Sequence, residues 1–198
     1  MKDVMIDIET YATRNDAAVV QIGAVAFDPL TGEVNDPFLV SVDRAFYEDV
    51  GHPFFVDERT KKWWGQQSVE ARKSLDINKV ATPFLAMDKL IEWFEQQEDF
   101  KIANKRRKSS RVWANPPQFD LSILRYLASK AYGSDNDVPW KHWQETDMRT
   151  LCHISGHVKI EDLPGAENLV AHRADHDAIR QALLVSEIMK RIRDAQGF

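Results

Sequence analysis

The chain has 198 residues, with 26 Lys and Arg against 31 Asp and Glu for a formal charge of −5, 43% hydrophobic residues and a single cysteine, Cys152. No apolar run reaches the ~18–20 residues a membrane helix needs, Lys2 and Asp3 interrupt the stretch where a secretory leader would be apolar, and one cysteine permits no internal disulfide. The expectation is one soluble domain over residues 1–198, held by its hydrophobic core in the reducing cytoplasm and without membrane association.

From the N-terminus, residues 3–9 alternate with the period of a strand, placing Val4, Ile6 and Ile8 on one face and Met5, Asp7 and Glu9 on the other. Val19–Phe27 and Pro37–Val42 are further apolar, β-branched runs, and Asp28, Pro29 and Gly32 between them are turn residues, so an antiparallel meander follows. Thr82 and Pro83 read as N-cap and first position of an amphipathic helix on which Met87, Leu90, Ile91 and Phe94 recur through about Gln97. Lys101–Arg111 holds six basic residues and no acid, leaving 20 basic against 31 acidic residues elsewhere. Such a segment is either a solvated loop or a phosphate-attracting patch on an acidic body. Arg111–Asn115 reads as a short strand, halted by Pro116 and Pro117 before a helix whose stripe is Asp120, Leu124, Leu127 and Ala131. A long last helix from about Asp175 aligns Ala178, Ala182, Val185, Met189 and Ile192, with Lys190, Arg191 and Arg193 toward its C-terminal end. This order of elements implies an α/β fold with a mixed central sheet of about five strands flanked by helices.

The acids carry the chemistry. Alternation puts Asp7 and Glu9 on one side of the first strand, about 6.6 Å apart along the backbone, where both can reach one cation; taken alone, acids at a strand end are more often solvated turn residues. Asp120 changes the balance, because an unpaired charge facing a core costs several kcal/mol and a metal ion would pair it. His172 and Asp177 are five residues apart, about 500° of helical rotation, so they diverge within one regular helix. With His172 in the preceding loop and Asp177 in the first turn, both point into one cleft. In the plainer alternative, Asp175 or Asp177 only caps the helix and the histidines are exposed.

Asp7-Ile8-Glu9-Thr10 resembles the Asp-x-Glu-Thr motif that opens the DEDD 3′-to-5′ exonucleases. Asn115-Pro-Pro-Gln-Phe119-Asp120 resembles their second motif, Asn-x(2–4)-Phe-Asp, and His172-x4-Asp177 their third. Order, spacing and expected context agree over nearly the whole chain. Arg173 stands where the tyrosine subclass has its Tyr, which leaves the histidine subclass. Small size, Trp63-Trp64 and the Trp113-Ala-Asn115 strand are similar to the compact exoribonucleases of the mycobacterial and prophage type.

The resemblance implies a ribonuclease-H-like fold that removes nucleoside 5′-monophosphates from the 3′ end of single-stranded nucleic acid, RNA in preference to DNA. Phosphodiesters resist water because the attacking oxygen meets negative charge, which two divalent ions, Mg2+ or Mn2+, about 3.5–4 Å apart would neutralise. Asp7, Glu9, Asp120 and Asp177 are the expected ligands. Glu9 also counts as catalytic, and His172 is the expected general base, since imidazole ordinarily titrates near neutrality. Thr10 and Asn115 complete the first two motifs and are assigned to the substrate. Phe119, beside a ligand, is the best-placed residue to stack on a base. Gln21, Ile22 and Gly23 would let the backbone approach the terminal nucleotide, unless Gly23 is a bulge. Arg149 would touch a phosphate, although Asp147 before it is most simply an N-cap. Trp63, Trp64 and Trp113 either stack on bases or belong to the core. Zinc at Cys152, His153 and His157 is disfavoured by Gly156 and by the lack of a second cysteine. The rivals are a phage-type exodeoxyribonuclease, a non-catalytic nucleic-acid binder and a metal-stabilised scaffold; a homodimer is compatible with each.

Overall fold

A computed structural model describes residues 3–97, 100, 110–155, 163 and 165–196. Most of the basic segment, together with His157, therefore lies outside the described residues.

The alternating first segment forms β1 (Asp3–Thr10), which pairs antiparallel with β2 (Val19–Phe27), itself antiparallel to β3 (Val34–Val42). β3 starts earlier than its apolar run, and its pairing with β2 is irregular between Ala24 and Ala26, opposite Asp36, which has φ 50°, and Pro37. Two short helices follow, α1 (Glu58–Gly65) and α2 (Val69–Ser74). The two-residue β4 (Lys79–Val80) adds parallel to β3. α3 (Pro83–Gln96) is capped as its sequence predicts: the Thr82 side chain accepts from the Leu85 N–H at 3.2 Å, and Pro83 occupies the first turn. β5 (Val112–Ala114) lies parallel to β1, and β6 (Glu145–Asp147) parallel to β5. α4 (Asp120–Tyr132), α5 (Met148–Ser155) and α6 (Ala174–Gln196) complete the chain. The expected mixed sheet flanked by helices is thus present, with six strands in the order β4-β3-β2-β1-β5-β6. The short outer strands β4 and β6 offer too few residues for any period to show.

Both faces of the sheet are buried. Val4, Ile6 and Ile8 pack with Met87, Leu90 and Phe94 of α3 and with Leu121, Leu124 and Leu127 of α4. On the other face, Met5, Val25 and Phe27 pack with Ala178, Ala182, Val185 and Ile188 of α6. Trp113 belongs to this second layer, its Nε1 donating to Asp3 Oδ2 at 2.8 Å while the Arg111 N–H donates to Asp3 Oδ1 at 3.0 Å, which ties β5 to β1. None of the described helices is long and apolar enough to cross a membrane.

Gly23 sets how closely α6 can lie on this sheet. It is the cross-strand partner of Asp7, and a Cβ built on it would sit 2.1 Å from the carbonyl carbon of Ala174 and 2.2 Å from the Asp175 nitrogen. The residue beside it in the same layer, Gln21, accepts the Ala174 N–H at 2.9 Å and donates to Ser41 Oγ at 2.9 Å and to the Ser74 carbonyl at 2.8 Å. A side chain at position 23 meets backbone, which cannot swing away as a flexible side-chain end does. Gly23→Ala should therefore destabilise the protein by about 3 kcal/mol, the upper part of the usual overpacking range. A urea midpoint equal to that of the wild type would contradict this seating of α6.

Candidate active site

Alternation along β1 turns Asp7 and Glu9 toward α6, where their cross-strand neighbours are Gly23 and Gln21. Asp120 arrives from the opposite layer. It is the first residue of α4, is buried, and its Oδ1 accepts the Ile8 N–H of β1 at 3.3 Å. His172 lies just before α6 with φ 60°, and its backbone N–H donates to Asp177 Oδ2 at 2.8 Å, while Asp177 occupies the first turn. This left-handed residue breaks the helical progression, so His172 and Asp177 face the same cleft. Ligand atoms of Glu9, His172 and Asp177 lie within 4.8 Å of one another.

Electrostatics brings in the remaining acids. Burial, followed by the charges of Asp120, Glu9 and Asp177, raises the Asp7 carboxyl well above its ordinary range, against a hydrogen bond from Gln181. Glu9 is likewise raised well above its usual value by burial and by Asp177 and Asp120. Asp120 is pushed up to about 7 by burial, although the backbone N–H groups of Ile8, Asp120 and Asn115 and the charge of Arg149 oppose the shift. Burial also raises Asp177, opposed first by Arg180 one turn along the helix, which forms a short ion pair with its Oδ1. Clustered carboxylates held away from water with too little cationic charge are a donor set for hard divalent ions. Asp7, Glu9, Asp120 and Asp177 fit that task.

A cleft of about 540 Å³ opens beside this cluster, lined by Glu9, Thr10, Arg59, Trp63 and Phe119 among others. Trp64 is buried and donates from Nε1 to the Thr10 carbonyl at 3.0 Å, which anchors α1 on the end of β1. Its neighbour Trp63 is 40% exposed and meets the His172 ring edge-on, with centroids 4.9 Å apart. Thr10 turns its hydroxyl to the Ala12 carbonyl at 2.6 Å, so the side chain shapes the turn. Asn115 is half-buried at the end of β5, with its backbone directed at Asp120. Arg149 is exposed in the first turn of α5, where Asp147 accepts its N–H at 2.9 Å as the expected cap, and its charge is felt at Asp120.

Gln21 and Ile22 correct the sequence-based expectation, because both are fully buried. The close backbone approach at Gly23 is made by Ala174 rather than by a nucleotide, and the irregularity of this strand pair falls between Glu9 and Thr10. Two residues were missed. Arg180 pairs with Asp177, and Gln181 Nε2 donates to Asp7 Oδ1 at 2.7 Å. Their spacing from Asp177, i+3 and i+4, was the available signal.

A family model described as the 3′-5′ exoribonuclease Rv2179c-like domain matches residues 2–189. An exodeoxyribonuclease of Enterobacteria phage T4 is 27% identical over 214 residues, covering 96% of this chain and 90% of the phage protein. Among solved structures, E. coli exonuclease I in complex with a dA16 oligonucleotide aligns with a TM-score of 0.61 at 15% identity over 96% of this chain. Exonuclease I from Methylocaldum szegediense aligns with a TM-score of 0.63 at 13% identity over 99% of this chain. The chain spans only 41% of the length of each of these exonucleases. At such identities the likeness establishes the ribonuclease-H-like fold.

The raised carboxyls have a measurable consequence. A group whose folded pKa exceeds its unfolded value holds a proton that the unfolded chain has already released, so it favours folding below the unfolded pKa and loses that effect as pH rises through the folded one. For Asp120 the window runs from its ordinary value of 3.8 to about 7. In EDTA, the melting temperature should fall between about pH 4 and about pH 7, and less steeply in Asp120→Asn. Millimolar Mn2+ should restore it at the upper end. Equal slopes for the two proteins would deny that Asp120 is raised.

Proposed function

The chain belongs to the family of the 3′-5′ exoribonuclease Rv2179c-like domain, within the DEDD exonucleases, and we propose that it is a two-metal hydrolase removing nucleoside 5′-monophosphates from single-stranded RNA. The observation that carries this reading is the convergence of Asp7, Glu9, Asp120 and Asp177 beside His172 at the head of one cleft. Two Mg2+ or Mn2+ ions, held by the four carboxylates, would neutralise the phosphodiester and keep the attacking and leaving oxygens in line.

His172 takes the proton of the attacking water as general base. The water oxygen bonds to phosphorus, the bond from phosphorus to the 3′ oxygen of the preceding nucleotide breaks, and that oxygen gains a proton to become the new 3′ hydroxyl. The φ of 60° at His172 and its backbone hydrogen bond to Asp177 fix the loop that presents the imidazole, and Trp63 covers one edge of the ring. Arg180 holds Asp177 in place through its ion pair. Phe119 and Trp63 flank the cleft and offer faces to a base, worth about 1–3 kcal/mol for each base stacked. Arg149, exposed and close enough to influence Asp120, would contact a backbone phosphate. The lone Cys152 suits a reducing compartment such as the cytoplasm.

RNA is favoured by the family description, whereas the phage relative is named an exodeoxyribonuclease, so DNA is the second reading. End-labelled RNA and DNA oligomers of one sequence, digested side by side with Mg2+ or Mn2+, separate the two. The expected result is faster loss of mononucleotides from the 3′ end of RNA; preferential digestion of DNA selects the second reading, and release of longer fragments defeats both. His172→Ala should keep the fold and lose about 10²–10⁴-fold in rate, the usual worth of a positioned base. Near-normal turnover by this variant would remove His172 from the reaction.

A further inference from the structure

Gln181 is a polar side chain on a helix face that is otherwise built for close packing. It is 7% exposed and lies among Ala174, Ala178, Ala182 and Val185, each fully buried against the sheet. Its Nε2 donates to Asp7 Oδ1 at 2.7 Å, while its Oε1 is buried and meets no donor among the described residues. A buried acceptor without a partner is costly, so something must favour this orientation of the amide. Turned over, the group would set Oε1 against the Asp7 carboxylate, lone pair to lone pair, and Asp7 would have no side-chain donor. The amide is therefore oriented for Asp7 at the expense of its own carbonyl.

Helical spacing gives this contact a direction. Asp177 and Gln181 are one turn apart on α6, so they share a face, and that face lies over the strand carrying Asp7 and Glu9. One helix thus presents a carboxylate to the cluster and, one turn later, a hydrogen-bond donor to a second carboxylate from another element. We propose that Gln181 is a positioning residue for the metal centre: it binds one oxygen of Asp7 and leaves the other free for the ions. This rests on the reading of Asp7 as a ligand. Outer donors of this kind fix the rotamer of a ligand, and losing one typically costs about 10–100-fold in metal affinity.

The test uses Gln181→Met, which keeps length and volume but neither donates nor accepts in the same way, and Gln181→Leu as a second apolar replacement. Mn2+ affinity is read by titration calorimetry and by the paramagnetic resonance of free Mn2+, with wild type and Asp177→Asn measured beside them and melting curves recorded in EDTA. The expected result is a Mn2+ dissociation constant raised about 10-fold in whichever Gln181 variants fold. Activity should then be lost at limiting Mn2+ and recovered in excess, with an unchanged KM for the oligonucleotide. If wild type binds Mn2+ and the folded variants bind it equally well, Gln181 only packs the helix and the inference is overturned, while the metal reading stands. If wild type itself binds no Mn2+, the metal reading fails and takes this inference with it. Loss of folding in both variants, with Mn2+ unable to rescue either, would also count against a role confined to the metal centre.

Discussion

Mutual repulsion among Asp7, Glu9, Asp120 and Asp177 is the constraint around which this molecule is arranged. Negative groups brought together away from water raise one another's proton affinity, and nothing in a hydrophobic layer relieves that strain. The surrounding structure answers by supplying donors: the Ile8 N–H to Asp120, the His172 N–H and Arg180 to Asp177, and the Gln181 amide to Asp7. Arg180 offsets the charge of Asp177, while the neutral donors hold the other acids in place without cancelling theirs. The cluster therefore keeps a surplus of negative charge, the condition on which the proposed binding of divalent ions rests.

The architecture explains why these particular positions meet. β1 is flanked by strands on both sides and sandwiched between helices, so its pleat sends alternate residues into two different layers. One layer is filled by Val4, Ile6 and Ile8. The other receives Asp7 and Glu9 at the point where α6 begins, because Gly23 and Gln21 opposite them accommodate and bind the start of that helix. Asp120 comes from the first layer but reaches the end of β1 through the backbone of Ile8.

How far the sequence revealed this arrangement depended on the length over which a period could express itself. The alternation of residues 3–9 placed Asp7 and Glu9 together, and the stripes of α4 and α6 turned Asp120 inward and set Asp177 at a helix start, with His172 outside it. The strands β4 and β6, at two and three residues, carried no such signal. Gln21 misled for a different reason: grouped with Ile22 and Gly23, it reads as a place where the backbone meets a nucleotide, but its side-chain partners are Ser41, Ser74 and Ala174, the last of them 153 residues away. The contact of Trp63 with His172 and that of Gln181 with Asp7 also join distant segments, and neither follows from local spacing alone.

The left-handed turn at His172 and the seating of Ala174 on Gly23 tie α6 to a cluster whose first acid is Asp7. A nascent chain emerging from the ribosome would hold Asp7, Glu9 and Asp120 long before it held Asp177. Until α6 docks, the growing polypeptide has three of the four acids and lacks His172, so the cluster cannot assemble. The order of these segments thus makes closure of the acidic cluster depend on the docking of α6.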